Sequence, residues 1–247
     1  MPRRKPGFYS TIEYIGPRPT KQPKRQFKLG GWVILLMAVV LGFYFGRPLL
    51  APLRAEQASV QQAEAISATL SESPEIGQRI AAAALRRTLE DITYDPAYYK
   101  IDPVMGDIPP GKGGPADLVI RSLRTVGIDL QVELHEDIRD NFRHYPQLWN
   151  AMGPDSNIDH RRIPNLQRFF ERNGEVLGTS RDASQYRPGD IVVWSLSNAE
   201  KHIGIVVPGP GKDMSEPWVV HNIGAGVKWE NILFEYQIEG HFRYPTK

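Results

Sequence analysis

In HIGIVVPGPGKDMSEPWVVH, residues 202–221, two runs rich in β-branched residues flank a Pro- and Gly-rich segment. That is the pattern of a β-hairpin, with strands over Ile203–Val207 and Trp218–His221. Strands of the same texture are expected at Ile191–Trp194, directly after the turn RPGD (187–190), and near His241–Tyr244. His202 and His221 lie equally far from a turn centre between Gly211 and Lys212. Opposed residues of an antiparallel pair hold their β-carbons about 5 Å apart. The two imidazoles are therefore expected as neighbours at one end of the hairpin; the competing reading is an accidental alignment of two half-exposed histidines.

Upstream of Tyr186 the periodicity is helical. Leu118, Val119, Ser122, Leu123 and Val126 lie on one face of a 3.6-residue repeat, with Pro115 suited to the first helical position and Gly127 to the stop. Further helices are expected near His135–Phe142 and over Ile163–Asn173, and another starts after Ser73-Pro74-Glu75. GDIPPGKGG (106–114) is a turn-dense loop. Helices first and antiparallel strands later predict an α+β domain over residues 74–247.

Toward the N-terminus, LGGWVILLMAVVLGFYFG (29–46) carries no charge, and as a helix its 18 residues would span about 27 Å. Trp32 at one end and Phe43–Phe45 at the other suit membrane interfaces. Residues 29–50 are accordingly expected as a single transmembrane helix. Residues 1–28 carry eight Lys or Arg against Glu13, a net +7, which leaves −5 for the rest of a chain whose total is +2. A basic tail before the apolar segment places the N-terminus in the cytoplasm and the C-terminal domain in the periplasm of a bacterial inner membrane. The alternative is a cleaved signal peptide, against which stand the long basic region and the crowding of any cleavage site by Pro48 and Pro52. Residues 51–73, rich in Ala, Gln, Glu and Ser, read as a polar helical stalk or linker. A nucleic-acid reader would carry its basic charge on the folded part, so nucleic acid is not an expected partner. The chain has no cysteine, which excludes disulfides and any protein thiolate.

YDPAYYKI (94–101), GDIPP (106–110), DLVIRSLRTVGIDLQ (117–131), HEDI (135–138), NIDHRRIPNLQRFF (157–170), PGDIV (188–192), HIGIV (202–206), VHNIGAG (220–226) and GHFRY (240–244) together resemble, in order, the bacterial family called domain of unknown function 1287. The resemblance covers about residues 75–247 and implies a papain-like fold of the NlpC type, a group of cysteine hydrolases acting on cell-wall peptides. By that resemblance His202 matches the base, His221 the polar residue that orients it (with Asn222 as the other choice), and Asp117 the Asp that follows the nucleophile. The nucleophile departs from the pattern. The family reads Gly-Val-Cys-Thr-Asp where this chain reads Gly113-Gly114-Pro115-Ala116-Asp117. A Cys–His hydrolase needs a thiolate at a helix N-terminus beside an imidazole, and Pro115 has no nucleophilic atom. As the first residue of a helix, Pro115 has a complete structural explanation.

Other residues admit two readings. Asp159, His160 and Arg161 either line a cleft, with the arginine taking a peptide carboxylate, or cap a helix and form an internal ion-pair network. Tyr94, Asp95, Tyr98 and Tyr99 form either an aromatic cleft wall or part of the core, and Asp190 reads as a turn residue accepting backbone N–H groups. No HExxH pattern exists and the scattered Asp and His residues make no metal motif, so neither metal nor cofactor is expected. The expected function is a membrane-anchored periplasmic pseudo-hydrolase that binds a peptidoglycan stem peptide, or regulates an envelope protein, without cleaving. The alternatives are an active cell-wall amidase or peptidase with non-thiol chemistry, and a structural docking component of an envelope complex. The topology gives a direct test. An alkaline phosphatase reporter fused after Lys247 is expected to be active, and activity of a cytoplasm-only reporter at the same position would overturn the orientation.

Overall fold

The computed structural model describes residues 59–150, 152–211, 216–224 and 226–246, together with Gly16, residues 35–37, Val39 and Leu41. It divides into two compact units, Met1–Ala51 and Pro52–Lys247. In the first, the few described residues between 35 and 41 are helical and their apolar side chains are exposed. The expected basic tail and most of the expected transmembrane segment lie outside the described residues. Among the described residues no helix is long and apolar enough to cross a membrane.

The second unit is α+β with an antiparallel sheet. Its helices are α1 (residues 59–71), α2 (Ile76–Arg87), α3 (Pro115–Thr125), α4 (Leu130–Asn141) and α5 (Ile163–Asn173). A short parallel pair, β1 (Thr93–Tyr94) and β2 (Lys112–Gly113), precedes α3. The main sheet uses β3 (Glu175–Val176), β4 (Ile191–Ser195), β5 (Lys201–Pro208), β6 (Pro217–His221), β7 (Lys228–Glu230) and β8 (Gln237–Arg243), in the order β3-β8-β4-β5-β6-β7, with every neighbour antiparallel.

Alternation along the strands builds two cores. Ile191, Val193, Ile203, Ile205, Val207 and Val220 project toward the helices and join Ile80, Leu85, Leu118, Val119, Leu123, Leu134, Leu166 and Phe170. The residues between them, Val192, Trp194, Val206 and Val219, project from the other face and pack with Tyr186 and Leu233. The run IAAAAL in α2 lies close against this frame, because four alanines leave little side chain between helix and sheet. At its N-terminus the approach is backbone to backbone. A β-carbon on Gly189, whose φ is +91°, would stand 2.2 Å from the Gly77 carbonyl oxygen, so this turn admits only glycine.

α1 revises the expected stalk. Ala63, Ser67 and Leu70 recur at helical spacing and are buried, and Leu70 belongs to the main core. The folded unit therefore begins well before residue 74, and the second half of the polar segment is packed structure. The sequence composition is that of a spacer because only one narrow face of α1 is covered. Leu70→Ala is expected to destabilise the unit by about 2–4 kcal/mol through the cavity it leaves, read as a lowered urea midpoint. An unchanged midpoint would mean that α1 is not part of the cooperative fold.

Candidate functional site

Pro115 opens α3 as expected, with Gly114 before it in extended backbone. The helix start is fixed by Asp117, whose Oδ2 accepts the Gly114 N–H at 2.6 Å. The same carboxylate meets the fork of Arg161, with Nε to Oδ1 at 2.9 Å and Nη2 to Oδ2 at 3.1 Å. Arg161 gives two further hydrogen bonds, to the carbonyls of Ala97 (2.6 Å) and Asp95 (2.7 Å). Both side chains are buried. Asp159 accepts the Asp155 N–H at 2.6 Å and pairs with Arg162 at 3.1 Å. Of the two readings open for Asp159 and Arg161, these contacts are those of the internal network, which also takes in Asp117. His160 is buried beside this network, and burial lowers its pKa to about 4.

The hairpin forms with a register two residues away from the symmetric one. Gly204, not His202, is opposite His221, and His202 faces Trp194 on β4. A shift of two preserves the face, so both imidazoles project from the side of the sheet that carries Trp194 and Val206. Their rings meet edge to face at 5.5 Å between centroids, and Trp194 stacks on His202 at 6.0 Å. Gly204 makes this possible. A β-carbon there would stand 3.1 Å from the Trp194 ring, 3.2 Å from the His221 β-carbon and 2.8 Å from the Val220 carbonyl oxygen.

His202 and His221 are 3% and 1% exposed. Burial lowers the His202 pKa to about 3, helped by His221. Burial also lowers that of His221, against the opposing pull of Glu230. Glu230, on β7, stands 2.9 Å from His221 Nε2. A carboxylate can only accept, so Nε2 carries the proton and Nδ1 is left with a free lone pair. That Nδ1 and the Nε2 of His202 are both buried without a hydrogen-bond partner. Asn222 is tied elsewhere: its Nδ2 donates to the Gly113 carbonyl at 3.3 Å, fastening the end of β6 to the approach to α3, while its Oδ1 has no partner. A cleft of about 560 Å³ lies over His221 and Glu230, rimmed by Lys228, Glu235 and Tyr236. No three His, Cys, Asp or Glu side chains among the described residues converge as a metal ion would need.

Two groups escaped the sequence reading. Glu230 lies on a three-residue strand, KWE, with no alternation to reveal it. Asp190 accepts the Arg187 N–H as a turn residue should, but it also meets His241 Nε2 at 2.9 Å and both Nε and Nη2 of Arg243 at 2.8 Å. It is thus a buried hub joining β4 to β8.

The family model described as domain of unknown function (DUF1287) matches residues 81–244, from α2 through the last strand. The chain belongs to the DUF1287 family. Over 168 residues, which are 68% of this chain and 82% of the relative, it is 46% identical to the uncharacterized protein YijF of Escherichia coli (strain K12). No solved structure matches. The matched region contains the His202–His221 pair, the start of α3 and the Asp117–Arg161 fork, so this DUF1287 domain includes every group of the candidate site.

The buried histidines set the acid response of the domain. Each binds fewer protons folded than unfolded between its lowered pKa and the ordinary 6.5. Their contribution is complete above pH 6.5 and is lost as the pH falls, by up to about 1.4 kcal/mol per pH unit for each group. Urea midpoints measured from pH 7 to pH 4 should fall steeply in the wild type and less steeply in His202→Asn. Parallel slopes would show that His202 is not buried in its neutral form.

Proposed function

We propose that this DUF1287 domain is a papain-like, NlpC-type domain that has lost its nucleophile and binds cell-wall stem peptide without cutting it. The observation that carries the reading is the buried imidazole pair: His202 and His221 in edge contact, the second held by Glu230, with two ring nitrogens left unpartnered. Nothing in packing requires two neutral imidazoles there, and burying polar atoms without partners costs about 1–3 kcal/mol each. By the family resemblance His202 would be the base and His221 its neighbour in an acid–base half; the two rings meet by edge contact rather than through a hydrogen bond, and the carboxylate of Glu230 holds the second. The nucleophilic half is missing. Pro115 occupies the first turn of α3, where the family pattern has its cysteine, and it supplies neither a thiol nor a backbone N–H for an oxyanion.

A site of this kind can still recognise what its ancestor cleaved. In the cleft beside His221 the Glu230 carboxylate suits a peptide N–H group and Lys228 a peptide carboxylate. The apolar segment 29–50 would hold the domain outside the inner membrane, within reach of the wall.

The full-length chain, purified in detergent, is to be incubated with peptidoglycan sacculi and scored for co-sedimentation and for soluble muropeptides. Binding without release is expected, with binding reduced in His221→Ala. Released fragments would establish an active hydrolase of non-thiol chemistry. No binding at all would overturn the proposal in favour of docking onto an envelope protein.

A further inference from the structure

A second groove, on the segment between α4 and α5, is built unlike the histidine cleft. Its volume is about 530 Å³ and polar atoms predominate in its lining, with Trp149 as its large aromatic surface. Trp149 and Asn150 are consecutive non-glycine residues in left-handed backbone, at φ +57° and +52°. Each such residue costs on the order of 1 kcal/mol, and strain of this kind gathers at ligand sites. Here it turns the largest apolar side chain outward, leaving it 52% exposed. The indole is not loose. The Arg162 guanidinium lies 4.4 Å from its ring centroid and is itself held by Asp159.

Around this aromatic plate stand planar hydrogen-bonding groups already locked in place. Asp155 Oδ1 accepts the backbone N–H and the side-chain Nδ2 of Asn157, both at 2.9 Å, and Tyr98 Oη donates to Asp155 Oδ2 at 3.2 Å. Asn157 Oδ1 in turn accepts the Ile101 N–H at 3.0 Å. His135 also lines the groove, and its Nδ1 is buried without a partner. An aromatic plate ringed by a carboxylate, a carboxamide and a guanidinium matches one ligand chemistry well. A pyranose ring offers an apolar C–H face to stack on an indole and, at its edge, hydroxyl and acetamido groups that pair bidentately with such side chains. A peptide would be expected to use a sheet edge or an apolar pocket, and neither lies here among the described residues.

We infer that the Trp149 groove is a saccharide-binding site, with Trp149 as the stacking surface and Asp155, Asn157 and Arg162 as the hydroxyl- and acetamido-binding groups. The segment 94–101 connects it to the start of α3. Tyr98 and Ile101 bond into the groove, and Tyr94 lies beside Gly114, 3.7 Å from where a β-carbon would stand. A polymer carrying both sugar rings and peptide branches would supply ligands for both this groove and the peptide cleft. The choice of the glycan strand of the cell wall as that polymer rests on the function proposed above; the saccharide chemistry rests on the groove alone.

The probes are the β-1,4 tetramer of N-acetylglucosamine, which has no peptide, and a synthetic stem peptide, which has no sugar. Each is titrated calorimetrically into the full-length chain. Saturable binding of the sugar is expected, weakened about tenfold or more in Trp149→Ala and in Asp155→Asn, and largely retained in Trp149→Tyr. Stem-peptide affinity should be the same in all three variants. Failure of the wild type to bind the sugar, or equal affinity in Trp149→Ala, would overturn the inference even if the peptide binds. Loss of peptide binding alone would instead sink the function proposed for the histidine cleft and leave the saccharide site standing. Should Trp149→Ala fail to fold, Asp155→Asn and Trp149→Tyr give the same decision.

Discussion

A single buried ion pair holds the site's framework together. Asp117 caps the entrance to α3 through the Gly114 N–H, and Arg161 clamps that carboxylate while bonding two carbonyls of the β1–α3 connection. Five hydrogen bonds thus converge on two side chains from three separate parts of the chain. Removing either partner would leave the other charged and buried, which typically costs about 3–5 kcal/mol. The pair does not recognise anything. It fixes where the helix begins, and so where residue 115 stands, whatever side chain occupies that position.

The sheet supplies the second fixed element by leaving something out. Gly204 creates a gap between Trp194 and His221, and the neighbouring aromatic rings close over it. An alanine there would need backbone and rings to move at once. The histidines are consequently held dry and neutral, with Glu230 selecting the tautomer of His221 from an edge strand. Two neutral imidazoles are thus buried side by side in a chain that has no cysteine.

Much of the frame was legible in the sequence. The PGDIV turn, the HIGIV and WVVH strands and the helices beginning at Pro115 and Ile163 stand where propensity and periodicity put them, within a residue or two. The meeting of His202 and His221 was also legible, although their direct opposition was not: the register follows from turn geometry, which symmetry of spacing does not capture. Glu230 and the reach of Asp190 to His241 and Arg243 were invisible, because both depend on which strands become neighbours. The roles of Asp117 and Arg161 were open for the same reason. Their partnership spans 44 positions of sequence, and only the fold decides between a ligand fork and an internal one. The membership of α1 in the core was hidden by a composition that is polar on all but one narrow stripe.

The ends of the main sheet have a consequence for how copies of this protein behave in a crowded compartment. One edge is β3, two residues long; the other is β7, three residues long and carrying Lys228 and Glu230. On β3 or β7 themselves a foreign strand would find only two or three residues of backbone to pair with, beside charges it would have to desolvate. Short, charged borders of this kind are how natural sheets avoid growing into aggregates. The long strand β5 can therefore be rich in β-branched residues without becoming a template, since it lies between β4 and β6.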